Sequence, residues 1–238
     1  MRNILIVLRK EFRGYFDSPI AYVFIIAFLS ISAWLYFRSF FIAGQIQMRD
    51  YLFFLPWIFL VFIPAVSMRL WAEEKKMGTI EVLMTLPVRD YEVVWGKFLA
   101  SFCFLFVTLA LSFPIPLTLS LLGKVDMGPI IGGYVGALLL GGAYLAIGLF
   151  VSGLAENQIV AFIIAIILSF ALFIIGEEIV LFSVPNALVP WFSYLGLGKH
   201  FASLQRGVID SRDMVYYLSV IWFFLYLNIR TIENRNWS

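Results

Sequence analysis

Six charge-free stretches constrain this chain more than any other feature: residues 20–37, 52–68, 98–122, 130–151, 158–175 and 214–229 contain no Asp, Glu, Lys, Arg or His. A hydrocarbon layer about 30 Å thick takes about 20 apolar residues of helix to cross. Inside it every backbone amide must find its partner within its own helix. Each stretch therefore reads as a transmembrane helix. Composition agrees, since only 13% of the residues are charged, where soluble domains carry about a quarter. The expected fold is all-α, a polytopic membrane protein with six transmembrane helices in one domain spanning residues 1–238.

The remaining charge is informative by position. A net charge of +2 is too small to point to nucleic acid. With the N-terminus inside, the inner segments hold Arg2, Arg9, Lys10, Arg13, Arg69, Lys75, Lys76, Arg89, Lys97, Arg230 and Arg235. The outer segments hold Arg38, Arg49, Lys124, Lys199, Arg206 and Arg212. Basic residues concentrate on the cytoplasmic side, so eleven against six sets both termini in the cytoplasm. Glu11 and Asp17 precede the first apolar stretch and no A-x-A-like site follows it, which reads as a retained helix rather than a cleaved signal. The lone Cys103 lies in an apolar run and reads as a small apolar side chain.

Three segments between the spans carry structure of their own. In residues 1–19, Ile4, Leu5, Leu8, Phe12 and Phe16 share one helical face opposite Arg9, Lys10 and Arg13, with Glu11 between them. That pattern predicts an amphipathic helix lying at the inner interface, followed by a new start at Ser18-Pro19. The inner loop 69–97 gathers Glu73, Glu74, Lys75 and Lys76, and then Glu81, Arg89, Asp90 and Glu92. Within it Thr79 can cap a short helix with Ile80, Leu83 and Met84 on one face; Gly78 allows a sharp turn before it and Pro87 ends it. Such an element is either an ordinary solvated connection or a docking site for a protein partner. The outer segment 176–213 is apolar but cut by Pro185, Pro190, Gly196 and Gly198. Two short helices that dip into the outer leaflet and return fit it best.

Several kinds of chemistry are excluded or disfavoured. No G-x-x-x-x-G-K-[ST] run exists: Gly96-Lys97 and Gly198-Lys199 are followed by Phe98 and His200, so the chain cradles no nucleotide phosphate. The windows lack the ionisable groups that ion-coupled carriers and charged-ring channels place within the membrane. A serine protease pair fails as well, because Ser152 falls at the inner end of the fourth span while His200, the single histidine, falls outside. His200 reads more simply as an interfacial polar residue, and Glu177 with Glu178 as solvated carboxylates. On the fourth span, Gly132 with Gly136 and Gly133, Ala137 and Gly141 recur at four-residue spacing. They allow close helix approach, within the chain or at a dimer seam.

These residues resemble the ABC-2 type transporter permeases, most closely the branches serving gliding motility and nitrous-oxide-reductase maturation. The likeness rests on Lys10-Glu11-Phe12 through Tyr15-Phe16-Asp17-Ser18-Pro19-Ile20, on Ala72 through Leu83 with Pro87 and Gly96-Lys97, on Ser152 through Gln158, and on His200-Phe201 with Arg206 through Asp210. The resemblance implies a non-enzymatic permease subunit of an exporter in the bacterial inner membrane. Its ATP and Mg would be bound by a cytoplasmic ABC ATPase subunit, and it would pair with a second permease, identical or not, with room for an accessory membrane protein. By position, Glu73, Glu74, Lys75, Gly78, Thr79, Ile80, Glu81, Val82 and Leu83 would form the coupling segment that seats on the ATPase. Leu8, Arg9, Lys10, Glu11 and Phe12 would lie on the interfacial helix beside it. Neither a cofactor nor a metal-ligand set is expected in the chain, and no partner besides these proteins and membrane lipids. The alternative is an ATP-independent membrane scaffold, such as the anchor of a motility apparatus.

Overall fold

The computed structural model describes residues 2–43, 48–79, 88–123 and 126–235. All regular structure among them is helical: α1 (Arg2–Asp17), α2 (Pro19–Ala43), α3 (Met48–Ser67), α4 (Arg69–Lys76), α5 (Asp90–Leu111), α6 (Pro114–Leu122), α7 (Met127–Leu154), α8 (Gln158–Ile174), α9 (Glu178–Leu181), α10 (Val189–Leu195), α11 (Leu197–Gln205) and α12 (Ser211–Arg235). Among the described residues, five helical runs are long and apolar enough to cross a membrane: α2, α3 running into α4, α5 into α6, α7, and α12. The sixth expected span is α8, which at 17 residues is shorter than these and ends where Gly176 meets Gly196. A Cβ on Gly176 would lie 2.8 Å from the Gly196 Cα. The chain is thus a multi-pass membrane protein.

Local chemistry sets the boundaries. Pro19 opens α2, where a missing N–H costs nothing. Asp126 and Asn157 cap α7 and α8 by accepting the N–H of Gly128 and Ile159 at 3.1 and 2.8 Å. The third expected span, 98–122, is both longer and broken. Its helix begins at Asp90, eight residues before the apolar window, and restarts at Pro114, whose ring cannot donate to the preceding turn. Ser112 steadies the break by donating to the Leu109 carbonyl at 2.7 Å and meeting the Tyr134 hydroxyl at 3.0 Å.

Helix α7 is the axis of the bundle, packed by α3, α5, α8, α11 and α12. Its small residues make this possible by letting backbones close in. A Cβ at Gly132 would lie 2.5 Å from the Leu204 carbonyl oxygen, at Gly136 2.9 Å from Leu204 Cβ, and at Gly141 2.5 Å from Leu105 Cδ2. Gly133 faces the Leu52 side chain, and Ala137 is fully buried. All five positions are therefore filled by neighbours within the chain. By contrast α2 turns Tyr22, Val23, Ile26 and Trp34 outward, away from the bundle.

The bundle has two distinct ends. One gathers α1, α4, the start of α5, the α7–α8 turn and the end of α12. The other gathers the first turns of α3 and α7 with residues 176–210, where Gln205 donates to the Arg49 carbonyl at 2.9 Å and Gly207 abuts Gly128.

Candidate coupling site

The loop expected over 69–97 is shorter than its charge suggested. Residues 69–76 continue as α4 after a break at Met68, and 90–97 already belong to α5. A helix that restarts has free N–H groups at its first turn, and α4 has no cap from its own sequence. Ser152 supplies one from the end of α7. Its Oγ accepts from the Trp71 and Ala72 amides at 3.1 and 3.2 Å and donates to the Met68 carbonyl at 2.8 Å. Ser152 is fully buried, so no water can replace it. The opposite exchange uses Lys75, which donates to the Gly153 carbonyl and, at 3.2 Å, to that of Ala155. These carbonyls at the α7 terminus lack helical partners and favour a cation.

The C-terminus of α4 ends on Gly78. Met77 N–H returns to the Glu73 carbonyl at 3.0 Å and Gly78 N–H to that of Lys75 at 3.2 Å, with Gly78 at φ +68°. Glycine suits that left-handed position, as the expected sharp turn requires. Thr79 donates to the Glu74 carbonyl at 3.3 Å. Ile80, Glu81, Val82 and Leu83, and with them the helix that Thr79 was expected to cap, lie outside the described residues.

The centre of the site is Lys97, which the sequence reading left in the loop. It sits on α5 with its side chain 1% exposed. Its ammonium donates to Glu74 Oε1 at 2.8 Å, the Leu70 carbonyl at 2.9 Å and Glu11 Oε1 at 3.3 Å. Three ammonium protons thus meet three acceptors, and the Trp71 ring lies 5.0 Å from the charge. The cluster ties together α1, α4 and α5. Glu73 is engaged separately, with Arg69 at 2.9 Å; that pair is part-exposed and contributes at most about 0.5 kcal/mol.

Helix α1 reaches this cluster through a stripe at four-residue spacing. Asn3 donates to Glu92 Oε2 at 2.9 Å, Val7 fills the notch over Gly96, Glu11 meets Lys97, and the Tyr15 hydroxyl pairs with Ser101 Oγ at 3.0 Å. Tyr15 also stacks on Phe104, and burial pushes its hydroxyl above the usual phenol range, so it stays neutral. The packed face is therefore rotated from the expected one. Ile4, Leu8, Phe12 and Phe16 are part-buried, but Leu5 is 58% exposed and, with Ile6, points away from the protein. Arg9, Lys10 and Arg13 are exposed as expected. The overlooked signal was the polar members of the stripe, which an apolar-face search discards.

A second polar cluster at the other end corrects the reading of His200. It is buried, with Nδ1 2.6 Å from Asp213 Oδ1, Nε2 2.9 Å from the Tyr194 carbonyl, and its ring 3.9 Å from Tyr216. Because a carbonyl only accepts, Nε2 carries a proton. Tyr216 and Tyr217 donate to the Leu195 and Leu197 carbonyls, the latter at 2.7 Å, locking α12 to residues 194–200. Asp213→Asn is expected to cost about 1–3 kcal/mol, the range for a weakened buried hydrogen bond, read as a lower melting temperature in detergent.

A family model described as ABC-2 family transporter protein matches residues 5–192. No curated protein matches the chain. The matched range contains α1 from Leu5 onward, α4, Lys97 and Ser152, and ends before His200.

Proposed function

The chain belongs to the ABC-2 family of transporter proteins, and from that membership we propose that it is the transmembrane permease subunit of a transporter driven by a separate cytoplasmic ABC ATPase. The observation that carries this is the way α4 is held. A helix of 8 residues is too short to be stable alone, yet α4 is fastened to α7 through Ser152, to the α7–α8 turn through Lys75, and to α5 and α1 through Lys97 and Glu11. A push on the segment beyond Gly78 would therefore be delivered to three helices at once instead of being absorbed by a loose loop.

In this reading the end bearing α1 and α4 faces the cytoplasm, which the eleven-to-six distribution of basic residues favours. The ATPase binds ATP and Mg, and closes on them. The exposed Met77-Gly78 turn and the coupling residues Ile80 to Leu83 seat in its surface. Glu73, Glu74 and Lys75 act behind that contact, holding the lever to the membrane helices. A second permease, identical or not, completes the pathway. The transported cargo moves outward across a bacterial inner membrane; α1 lies in the inner interface and residues 176–213 re-enter from outside. The likeness to gliding-motility permeases makes a motility complex the first setting to examine.

Purification from native membranes in mild detergent, followed by assay of ATP hydrolysis, tests the reading. A co-purifying ATPase with vanadate-sensitive turnover is expected. A preparation without any nucleotide-binding partner would oppose it and favour an ATP-independent scaffold.

A further inference from the structure

Helix α1 follows the first turns of α5. Asn3 meets Glu92, Val7 meets Gly96, Glu11 meets Lys97 and Tyr15 meets Ser101, so both helices advance together and α5 serves as a depth scale for α1. The charge-free stretch of α5 begins at Phe98. Arg13, between the last two contacts, stands level with residues 97–101 at the edge of that stretch, and Arg9 stands one turn, about 5–6 Å, outside it. The polar layer flanking a bilayer's hydrocarbon core is about 5–8 Å deep, which puts both guanidiniums at headgroup depth. Both side chains are exposed. Their neighbour Lys10 is paired with Glu11 at 3.5 Å and, with Gly14, turns to the cavity between α1, α2 and α4, which Arg9 and Arg13 do not line. Neither Arg9 nor Arg13 has an acidic partner among the described residues, the exposed Asp17 one turn beyond Arg13 included. Two unpaired guanidiniums one turn apart offer the donors that suit a phosphate. An apolar path leads away from them. Phe16, the next turn after Arg13, sets its ring 6.0 Å from that of Tyr22 on α2, and Tyr22, Val23 and Ile26 then face outward, 51, 64 and 63% exposed. Cation pair, aromatic ledge and apolar face thus follow in the order of a phospholipid's phosphate, glycerol and acyl chains.

We propose that Arg9 and Arg13 bind the phosphodiester of an anionic phospholipid from the leaflet around α1, with its acyl chains along Tyr22, Val23 and Ile26. Charge selects the lipid. Two cations without a carboxylate partner are neutralised by a headgroup of net negative charge, whereas a zwitterionic headgroup brings its own ammonium to the same place. The lipid fastens the free face of α1, whose other face carries Glu11 to Lys97. This requires only that the chain sits in a bilayer, and is independent of ATPase coupling.

The test uses purified full-length protein in phosphatidylcholine nanodiscs containing a small fraction of photoactivatable phosphatidylglycerol, with labelled peptides mapped by mass spectrometry. Label is expected on residues 9–26, and unlabelled phosphatidylglycerol should displace it at least tenfold better than phosphatidylethanolamine does. Arg9→Gln combined with Arg13→Gln should cut this labelling at least tenfold. Both side chains are exposed and unpaired, so the melting temperature, and labelling of the exposed Trp222 face of α12, should stay unchanged as controls for folding and for bulk lipid. Arg9→Lys combined with Arg13→Lys keeps the charge and should keep most of the label. Labelling no stronger than at Trp222, equal displacement by phosphatidylethanolamine, or indifference to the double glutamine variant would overturn the proposal. So would equal displacement by glycerophosphoglycerol, which would make the site one for a soluble phosphodiester.

Discussion

Lys97→Met is expected to destabilise the protein by about 3–5 kcal/mol and to abolish stimulation of the partner ATPase. The magnitude follows from what is left behind. The substitution removes the ammonium that Glu74 Oε1, Glu11 Oε1 and the Leu70 carbonyl share and leaves Glu11 only the exposed Lys10 at 3.5 Å, and a buried carboxylate whose partner is taken away costs about that much. The carboxylates are mostly buried, each side chain 18% exposed, so solvent relieves only part of the loss. Adding Glu11→Leu and Glu74→Leu should restore most of the melting temperature, since an apolar replacement of a whole buried ion cluster is often neutral or stabilising. Stimulation of ATP hydrolysis should stay absent in that triple variant if the ionic contacts hold α4 in the geometry that transmits movement. Recovery of both together would reduce Lys97 to a packing role.

The second large effect is expected at Ser152. Ser152→Ala removes the acceptor for two buried amides, Trp71 and Ala72, at about 1–3 kcal/mol for each unsatisfied group, hence about 2–6 kcal/mol in all. The loss should be local. Hydrogen exchange at residues 70–76 should rise by orders of magnitude while α7 keeps its protection, because α7 is packed along its whole length and α4 depends on borrowed contacts. Ser152→Thr retains the hydroxyl and should keep most of that protection. A uniform rise across the bundle would mean that α4 is not a separately fastened element.

How far these features were legible in the sequence depends on how local they are. The spans were legible because hydrocarbon forbids charge over a long window, and the start of α2 because the Ser18-Pro19 signal is written within two residues. The break at Ser112 was missed because Pro114 and Pro116 do not interrupt an apolar count. Lys97 was placed in a loop because it is one residue outside an apolar window. Its partners lie 23 and 86 residues away, and no periodicity links them. Gly96-Lys97 was noticed as a failed phosphate loop and as part of the family likeness; its use is a notch for Val7 beside a buried cation. Ser152 and His200 were weighed as a nucleophile and its base. They stand at opposite ends of the bundle, one capping a helix and the other paired with Asp213.

The central claim is that the α4 end of the bundle docks on an ATP-hydrolysing partner. Photo-crosslinking in the native host tests it most directly, with the reactive residue placed at Met77, 68% exposed beside the α4 terminus, or at Tyr194, 60% exposed at the opposite end. The account predicts that Met77 yields an adduct with a nucleotide-binding subunit, altered in yield by vanadate, and that Tyr194 yields none. An adduct with that subunit from Tyr194, or no nucleotide-binding protein captured from Met77 while the chain is inserted and folded, would contradict it.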